Sequence, residues 1–451
     1  MKRRLFGTDG VRGSANDALT PGLSVALGRA AGSVLVRRSS RDASERSKVL
    51  IGRDTRRSGT MISAALSAGL CSAGADVIDV GVVPTPGVAF LTVEQGAAAG
   101  AVVSASHNPA SDNGIKFFGP DGYKLTDEVE ARIESLVDDS SEASVARADE
   151  IGTVISAPVL AAIYEAHLVS TVGEGALCGL KVILDCANGA AFESAPHAFA
   201  AAGATVDSLF DAPDGDNINA GCGSTDTTQL QSAVVEAGAD LGLAFDGDAD
   251  RVLAVDAAGS VVDGDQILAI AATGGLGTDR ATSRVVATVM ANLGFRKAME
   301  ASGIEVLECP VGDRYVIETM RRESVALGGE QSGHIIFADS STTGDGLLTG
   351  LKLMEIMAKT GRSLKELASV MTRFPQVLIN VKVRDKSLLG EAESVWSAVA
   401  EAEKSLGDQG RILLRPSGTE PLVRVMVEAG DEETAHQQAD RVARVVASEI
   451  G

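Results

Sequence analysis

With 451 residues, 45% of them hydrophobic, 22% charged and 3% aromatic, the chain is long enough for three or four domains, and its 50 glycines point to many tight turns rather than to a fibre or a disordered chain. A formal net charge of −21 argues against nucleic acid and anionic membrane as partners, and so few aromatic rings leave little to stack on nucleobases. An anionic ligand must therefore be met by Arg and Lys gathered locally against that background.

The opening MKRRLFGTDGVRG is basic, but Gly7, Thr8, Asp9 and Gly10 stand where an export signal needs an apolar core. Five scattered cysteines, Cys71, Cys178, Cys186, Cys222 and Cys309, contain no C-x-x-C pair, which fits a reduced, intracellular protein. No run of about 18 uncharged apolar residues occurs, so the expected location is the cytoplasm.

In chain order, Gly22 to Val36 reads as a helix, followed by the charged stretch Arg37 to Lys48, an expected exposed loop. Short apolar runs at Val49 to Gly52, Val77 to Val80 and Ala99 to Val103, with an Ala-rich helix at Thr60 to Ala73, alternate as parallel βα units do. The polar stretch Asp138 to Glu150 approaches a first boundary. A second unit carries KVILDC from Lys181 and DLGLAF from Asp240. A third carries VVATVM, IEVLECP and VALGGE. The last alternates VLINVKV, RILL and LVRVMVE with helices, as a small α+β domain does. The expected architecture is three doubly wound α/β domains, 1–152, 153–255 and 256–371, and an α+β domain, 372–451, around a central cleft.

Four loops after predicted strands carry the candidate chemistry, where open α/β sheets bind ligands. In SASHNPASDNGIKFF, Ser106, His107, Asn108 and Pro109 compose an exposed turn, ordinary when taken alone. It is not a hydrolase elbow, because Ser104 stands where G-x-S-x-G needs glycine. DGDADR offers Asp246, Asp248 and Asp250 at alternate positions, suited to a hard cation such as magnesium. An EF-hand fails, since Arg251 and Ala257 occupy its glycine and glutamate positions. GGEQSGH offers Glu330, Ser332 and His334 to sugar hydroxyls, with a satisfied structural His334 equally compatible. RPSGTEP offers Arg415 as a bidentate phosphate ligand, with Ser417, Gly418 and Thr419 as further donors; a plain hairpin turn would also explain it.

Together the four loops resemble the α-D-phosphohexomutase superfamily over essentially the whole chain, from FGTDGVRG to RPSGTEPLVRVMVE. Within it the wording is most similar to the phosphoglucosamine mutases, through FGTDGVRG, DCANGAA (Asp185 to Ala191), TVMANLGF (Thr288 to Phe295), VGDRYV (Val311 to Val316), Gln331 and FPQVLINV (Phe374 to Val381). Ala249 departs from the usual glycine, and the stretch Arg37 to Lys48 is extended.

The resemblance implies a phosphate on Ser106 and one magnesium ion held by Asp246, Asp248, Asp250 and an oxygen of that phosphoserine. Arg251, Lys116 and Arg12 are the cations for the transferring group. The reaction it implies joins glucosamine 6-phosphate and glucosamine 1-phosphate through a glucosamine 1,6-bisphosphate, on the route to UDP-N-acetylglucosamine. Lys116, His107 and His334 are the candidate bases, Lys116 requiring a lowered pKa. Arg415, Ser417, Gly418 and Thr419 would accept the phosphate that is not reacting, on a last domain that swings. The expected partner is a small phosphosugar, with a homodimer left open. Two alternatives stand: a glucose or mannose phosphate mutase, differing around Gln331 and Arg314, and a phosphatase or non-catalytic sugar-phosphate binder.

Overall fold

The computed structural model describes residues 5–7, 9–36, 46–139, 143, 145–274, 283–417 and 421–451. The charged stretch from Arg37 lies outside them as far as Glu45, and the polar stretch Asp138 to Glu150 lies inside them only in part. The chain forms two compact units, one of Met1–Met290 with Ile304–Val370, the other of Ala291–Gly303 with Met371–Gly451. Among the described residues no helix is long and apolar enough to cross a membrane.

The first unit contains three sheets. One has six strands, in the order Val11–Ser14, Asp112–Phe118, Ala99–Val103, Lys48–Arg53, Asp76–Val82 and Val154–Ser156. The second has the order Val261–Val262, Val252–Asp256, Leu241–Phe245, Lys181–Asp185 and Thr205–Leu209, and the third Glu305–Cys309, Arg284–Thr288, Leu327–Gly329 and Ile335–Phe337. Strands such as Ala99–Val103 and Leu241–Phe245 are buried along their whole length, as continuous apolar runs covered on both faces must be.

The sheets are mixed, which the βα rhythm did not disclose. Ala99–Val103 returns antiparallel as Asp112–Phe118, Leu241–Phe245 as Val252–Asp256, and Leu327–Gly329 as Ile335–Phe337. Each of the three loops singled out in this unit is thus the hairpin joining a parallel strand to its antiparallel neighbour. Antiparallel neighbours accept a short connection, whereas a parallel pair needs a crossover, so the same position recurs in all three sheets.

The predicted first helix is Pro21–Leu35, capped by the Thr20 side chain, which accepts from Leu23 N at 3.1 Å. The second is Arg57–Ser72. Their small residues let the backbones nearly touch: a Cβ on Gly28 would lie 2.3 Å from the Leu66 carbonyl oxygen, and one on Gly69 would lie 2.2 Å from that of Val25. The Leu27, Ile62, Leu66 and Leu70 side chains fill the core beside this crossing, against Val49 and Ile51 of the sheet.

The second unit is a three-stranded antiparallel sheet, Gln376–Lys382, Leu422–Glu428 and Arg411–Pro416, with helices Glu393–Leu406 and Glu432–Ile450. It includes the helix Leu293–Ala301. Glu428, fully buried, accepts from Leu293 N at 2.9 Å and from Arg411 Nε at 2.6 Å, while Asn292 Nδ2 donates to the Phe374 carbonyl at 3.0 Å. The TVMANLGF wording therefore spans both units.

The helix crossing yields a stability prediction. Gly28→Ala should force the two backbones apart and cost about 1–3 kcal/mol. The first transition in a thermal melt should fall by several degrees, and an unchanged melt would show that the crossing tolerates a side chain.

Candidate functional site

In the first unit the three hairpins meet. Thr85 N donates to the Asp248 carbonyl at 2.9 Å, joining the aspartate loop to the first sheet. Val252 N donates to the Gly333 carbonyl at 3.1 Å and Gly346 N to that of Ala249 at 3.0 Å, joining it to the third. The crossing over Ser106 is closest at Gly247, where a Cβ would lie 2.5 Å from the Ser106 carbonyl oxygen.

Ser106 is consequently buried, 1% exposed, and not the exposed turn that its composition suggested. Its backbone is left-handed, φ 53°. Its hydroxyl donates to Asp246 Oδ2 at 2.6 Å and lies 3.3 Å from His107 Nδ1. The correction has a tertiary cause: turn composition says nothing about a loop from another sheet that covers the turn.

Asp246, Asp248 and Asp250 are all buried, and one oxygen from each lies within 4.8 Å of the others. Burial, with Asp250 and Asp248 alongside, pushes the Asp246 carboxyl well above its ordinary pKa. Asp248 Oδ2 accepts from Thr85 Oγ1 at 2.7 Å and Lys116 Nζ at 2.9 Å, whereas Asp248 Oδ1 and Asp250 Oδ1 are buried without a hydrogen bond. Buried carboxylate oxygens that converge without a hydrogen bond are what a hard cation satisfies, so the donor set fits a metal. Ala249, at φ 56°, keeps the turn that glycine would make more easily.

The cations lie around this triad. Lys116, on Asp112–Phe118, is 2% exposed and contacts Asp248, Asp9 at 3.0 Å and Asp250 at 3.8 Å. Burial opposes its charge, but these three carboxylates outweigh burial and hold its pKa above the ordinary lysine value, opposite to the lowering a base would require. Arg12 donates to the Ala105 carbonyl at 3.1 Å and pairs with Asp9. Arg251 donates its backbone N–H to Asp246 Oδ1 at 3.2 Å, and its guanidinium lies 3.3 Å from His107 Nδ1. Burial, then Arg251 and Arg12, hold the His107 pKa below its usual value.

The third hairpin places His334 inward, with Nδ1 3.7 Å from Asp250 and Nε2 accepting from Gly344 N at 3.1 Å. Glu330 is half-buried and accepts from Gly312 N at 3.1 Å; Ser332 is exposed. Arg314 is taken up by Asp127, by Glu130 at 2.9 Å and by the Leu125 carbonyl at 3.0 Å.

In the second unit, considered by itself, Arg415 faces Arg424 across the antiparallel pair, and burial followed by that like charge lowers the Arg415 pKa. Ser417 is buried; its N–H donates to the Leu422 carbonyl at 2.8 Å, and its carbonyl accepts from Lys386 Nζ at 2.6 Å. Gly418 and Thr419 lie outside the described residues.

Several residues at this site were missed. Asp9 binds Arg12, Lys116 and Lys124, and Lys124 also pairs with Asp313, so an ion-pair chain runs from the opening loop to the helix Asp313–Glu323. The signal for Asp9 was an acid in the glycine-bracketed turn Gly7 to Gly10 of FGTDGVRG; Lys124, Asp313 and Thr85 have no local signal.

Models of the phosphoglucomutase/phosphomannomutase family match the chain in four parts: alpha/beta/alpha domain I at residues 3–144, domain II at 162–259, domain III at 263–374 and the C-terminal domain at 378–445. A phosphoglucosamine mutase of Corynebacterium aurimucosum is 55% identical over 448 residues, 99% of each chain. A phosphoglucomutase/phosphomannomutase family protein of Burkholderia thailandensis superposes with a TM-score of 0.82 at 24% identity, covering 98% of this chain and 97% of that one. The N-acetylphosphoglucosamine mutase of Aspergillus fumigatus, solved with GlcNAc-6P and magnesium, superposes with a TM-score of 0.70 at 20% identity, covering 100% and 96%. The chain belongs to the phosphoglucomutase/phosphomannomutase family and, within it, to the phosphoglucosamine mutases.

Proposed function

We propose that the protein interconverts glucosamine 6-phosphate and glucosamine 1-phosphate by passing a phosphoryl group through Ser106. The observation that carries this reading is the buried Ser106 hydroxyl, 2.6 Å from Asp246 at the edge of the carboxylate triad. Asp246, Asp248 and Asp250 would hold magnesium, the ion in the Aspergillus enzyme's structure. When bound, the ion supplies charge stabilisation to the phosphoryl group.

The chain's own residues do the rest. Lys116, Arg251 and Arg12 line the serine loop and offset charge on the transferring group. The sugar O1 takes the phosphoryl group, so that a P–O1 bond forms as the P–Oγ bond breaks. Its proton goes to His107 or His334, because Lys116, kept protonated by the carboxylates of Asp248, Asp9 and Asp250, has no lone pair to accept it. Glucosamine 1,6-bisphosphate results, turns over, and returns its 6-phosphoryl group to Ser106, with no net phosphate consumed. Glu330, Ser332 and His334 serve the sugar. Arg415 with Ser417, Gly418 and Thr419 serves the other phosphate. The facing pair Arg415 and Arg424 supports this role, since an anion relieves repulsion between like charges placed directly opposite. The place of action is the cytoplasm and the product feeds UDP-N-acetylglucosamine synthesis. The net charge of −21 weighs against nucleic acid and anionic membrane, while Lys116, Arg12 and Arg251 gathered around Ser106 suit a small phosphosugar.

Three outcomes test the proposal. Ser106→Ala should remove the single phosphate seen by intact mass and lower turnover roughly 10³-fold or more; unchanged turnover would end the phosphoserine account. Chelation should abolish activity and added magnesium restore it, while Asp248→Asn should raise the magnesium concentration needed for half-maximal activity by about 10-fold or more. In a coupled assay with the matching 1,6-bisphosphate as activator, glucosamine 6-phosphate should be preferred over the glucose and mannose 6-phosphates. Inorganic phosphate should stay far below product, whereas release in proportion to substrate would mark a phosphatase.

A further inference from the structure

Ser106 is held from behind by a residue that takes no part in the chemistry above. Arg56 begins the turn into the helix Arg57–Ser72, and its side chain is fully buried. A guanidinium has five N–H donors, and here each has its own acceptor. Nε donates to Asp54 Oδ2 at 2.8 Å. One terminal nitrogen donates to the carbonyls of Ser106 at 2.9 Å and Asn108 at 2.8 Å. The other donates to those of Asp112 at 2.9 Å and Pro109. Four of the five bonds thus go to backbone carbonyls of a single segment, the serine hairpin and the first residue of its return strand.

The counter-charge closes a circuit. Asp54, also fully buried, accepts from the Arg56 N–H at 3.0 Å and from Ser104 Oγ at 2.6 Å. Ser104 Oγ in turn accepts the Ser106 N–H at 2.9 Å. Both backbone polar groups of Ser106 are therefore tied to one ion pair, the N–H through Ser104 and Asp54, the carbonyl directly to Arg56. Asn219 Nδ2, from the connection that follows the strand Thr205–Leu209, adds bonds to the carbonyls of Ser106 at 2.9 Å and Asn108 at 3.1 Å.

These ties act on a residue in an unfavoured conformation. Ser106 sits at φ 53°, and a non-glycine residue stays left-handed only where its surroundings over-determine it. The hairpin itself contributes little restraint: its internal backbone bonds are Asn108 N to Ala105 O at 3.1 Å and Asp112 N to Pro109 O at 3.0 Å. Without Arg56, the carbonyls of Ser106 and Asn108 would keep only Asn219 Nδ2 and those of Pro109 and Asp112 would lose the guanidinium's bonds, so the loop would relax.

We infer that Arg56, with Asp54 and Ser104, is a positioning residue for phosphoryl transfer: it fixes the left-handed backbone of Ser106 and thereby the direction in which Oγ presents its phosphate. The inference rests on the reading of Ser106 as the phosphate carrier. That carrier must serve two hydroxyls, O1 and O6, in line, so a loosened loop slows both transfers. Substrate binding, assigned to other loops, is left intact. A sub-ångström to one-ångström error in such a group costs roughly 10²-fold in rate.

The test is Arg56→Lys beside Ser104→Ala, with kcat, KM, the thermal melt and the phosphate content of Ser106 by intact mass measured on each. Lysine keeps the charge for Asp54 but has three donors and no planar fork, so it cannot serve five acceptors. Arg56→Lys should lower kcat per phosphorylated Ser106 by about 10²-fold with KM within about 3-fold. Ser104→Ala, which removes only the tie to the Ser106 N–H, should lower it by about 10-fold with KM unchanged. Should Arg56→Lys fail to fold, Ser104→Ala decides. A purely structural role would lower the melt and the folded yield while leaving kcat per phosphorylated serine as in the wild type, and that result overturns the inference. A rise in KM at constant kcat overturns it too. Wild-type protein that turns over without phosphate on Ser106 would overturn the carrier reading as well, whereas phosphorylated wild type with both variants fully active overturns the positioning role alone.

Discussion

Three carboxylates packed within 4.8 Å of one another in a buried pocket are the constraint around which the first unit is organised. Left alone they repel, and each loses the water that would have solvated it. The fold answers with fixed donors: Thr85 and Lys116 on Asp248, the Ser106 hydroxyl and the Arg251 N–H on Asp246, and His334 beside Asp250. Two oxygens remain without a hydrogen bond, on Asp248 and Asp250. The triad thus keeps oxygens suited to a cation, and the Ser106 hydroxyl closes one side of it on Asp246.

Charge compensation reaches well beyond the triad. Asp9 accepts from Arg12 and binds Lys116 and Lys124, and Lys124 reaches Asp313 at the start of a helix belonging to the third sheet. A buried ion pair is costly unless geometry is good and its partners are satisfied, so such a chain holds the loops of different sheets in one register or fails as a whole. It is anchored at its far side by Arg314 on the Asp127 and Glu130 carboxylates. Against a chain of net charge −21, Arg12, Lys116 and Arg251 place positive charge around the serine hairpin.

A phosphoryl-transfer enzyme does little covalent work beyond the transfer itself; its contribution is placement of charge. The hairpins meet this need because each is pinned at both ends by paired strands, while their tips touch across sheets. Gly247 passes so close to the Ser106 carbonyl that no side chain fits between them. The left-handed backbones of Ser106 and Ala249 mark the two tips that meet.

Much of this was legible along the chain. The buried strands read as apolar runs, the first two helices fell within a few residues of their expected limits, and the aspartates at alternate positions announced a cation site by chemistry alone. These features are local: side-chain type and spacing determine them. The sequence by itself also carried the family, through four loop wordings in order. What only the tertiary structure decided depends on neighbours distant in the chain. Ser106 looked exposed because no local pattern shows a loop of another sheet lying over it. Lys116 as a base would need a lowered pKa, yet Asp248, Asp9 and Asp250, contributed by two other loops, hold it above the ordinary lysine value. The antiparallel returns that put each of the three loops on a hairpin, and the five acceptors gathered around Arg56, likewise arise only when separated segments fold together, because hydrogen bonds and Coulomb forces act through space and take no account of sequence distance.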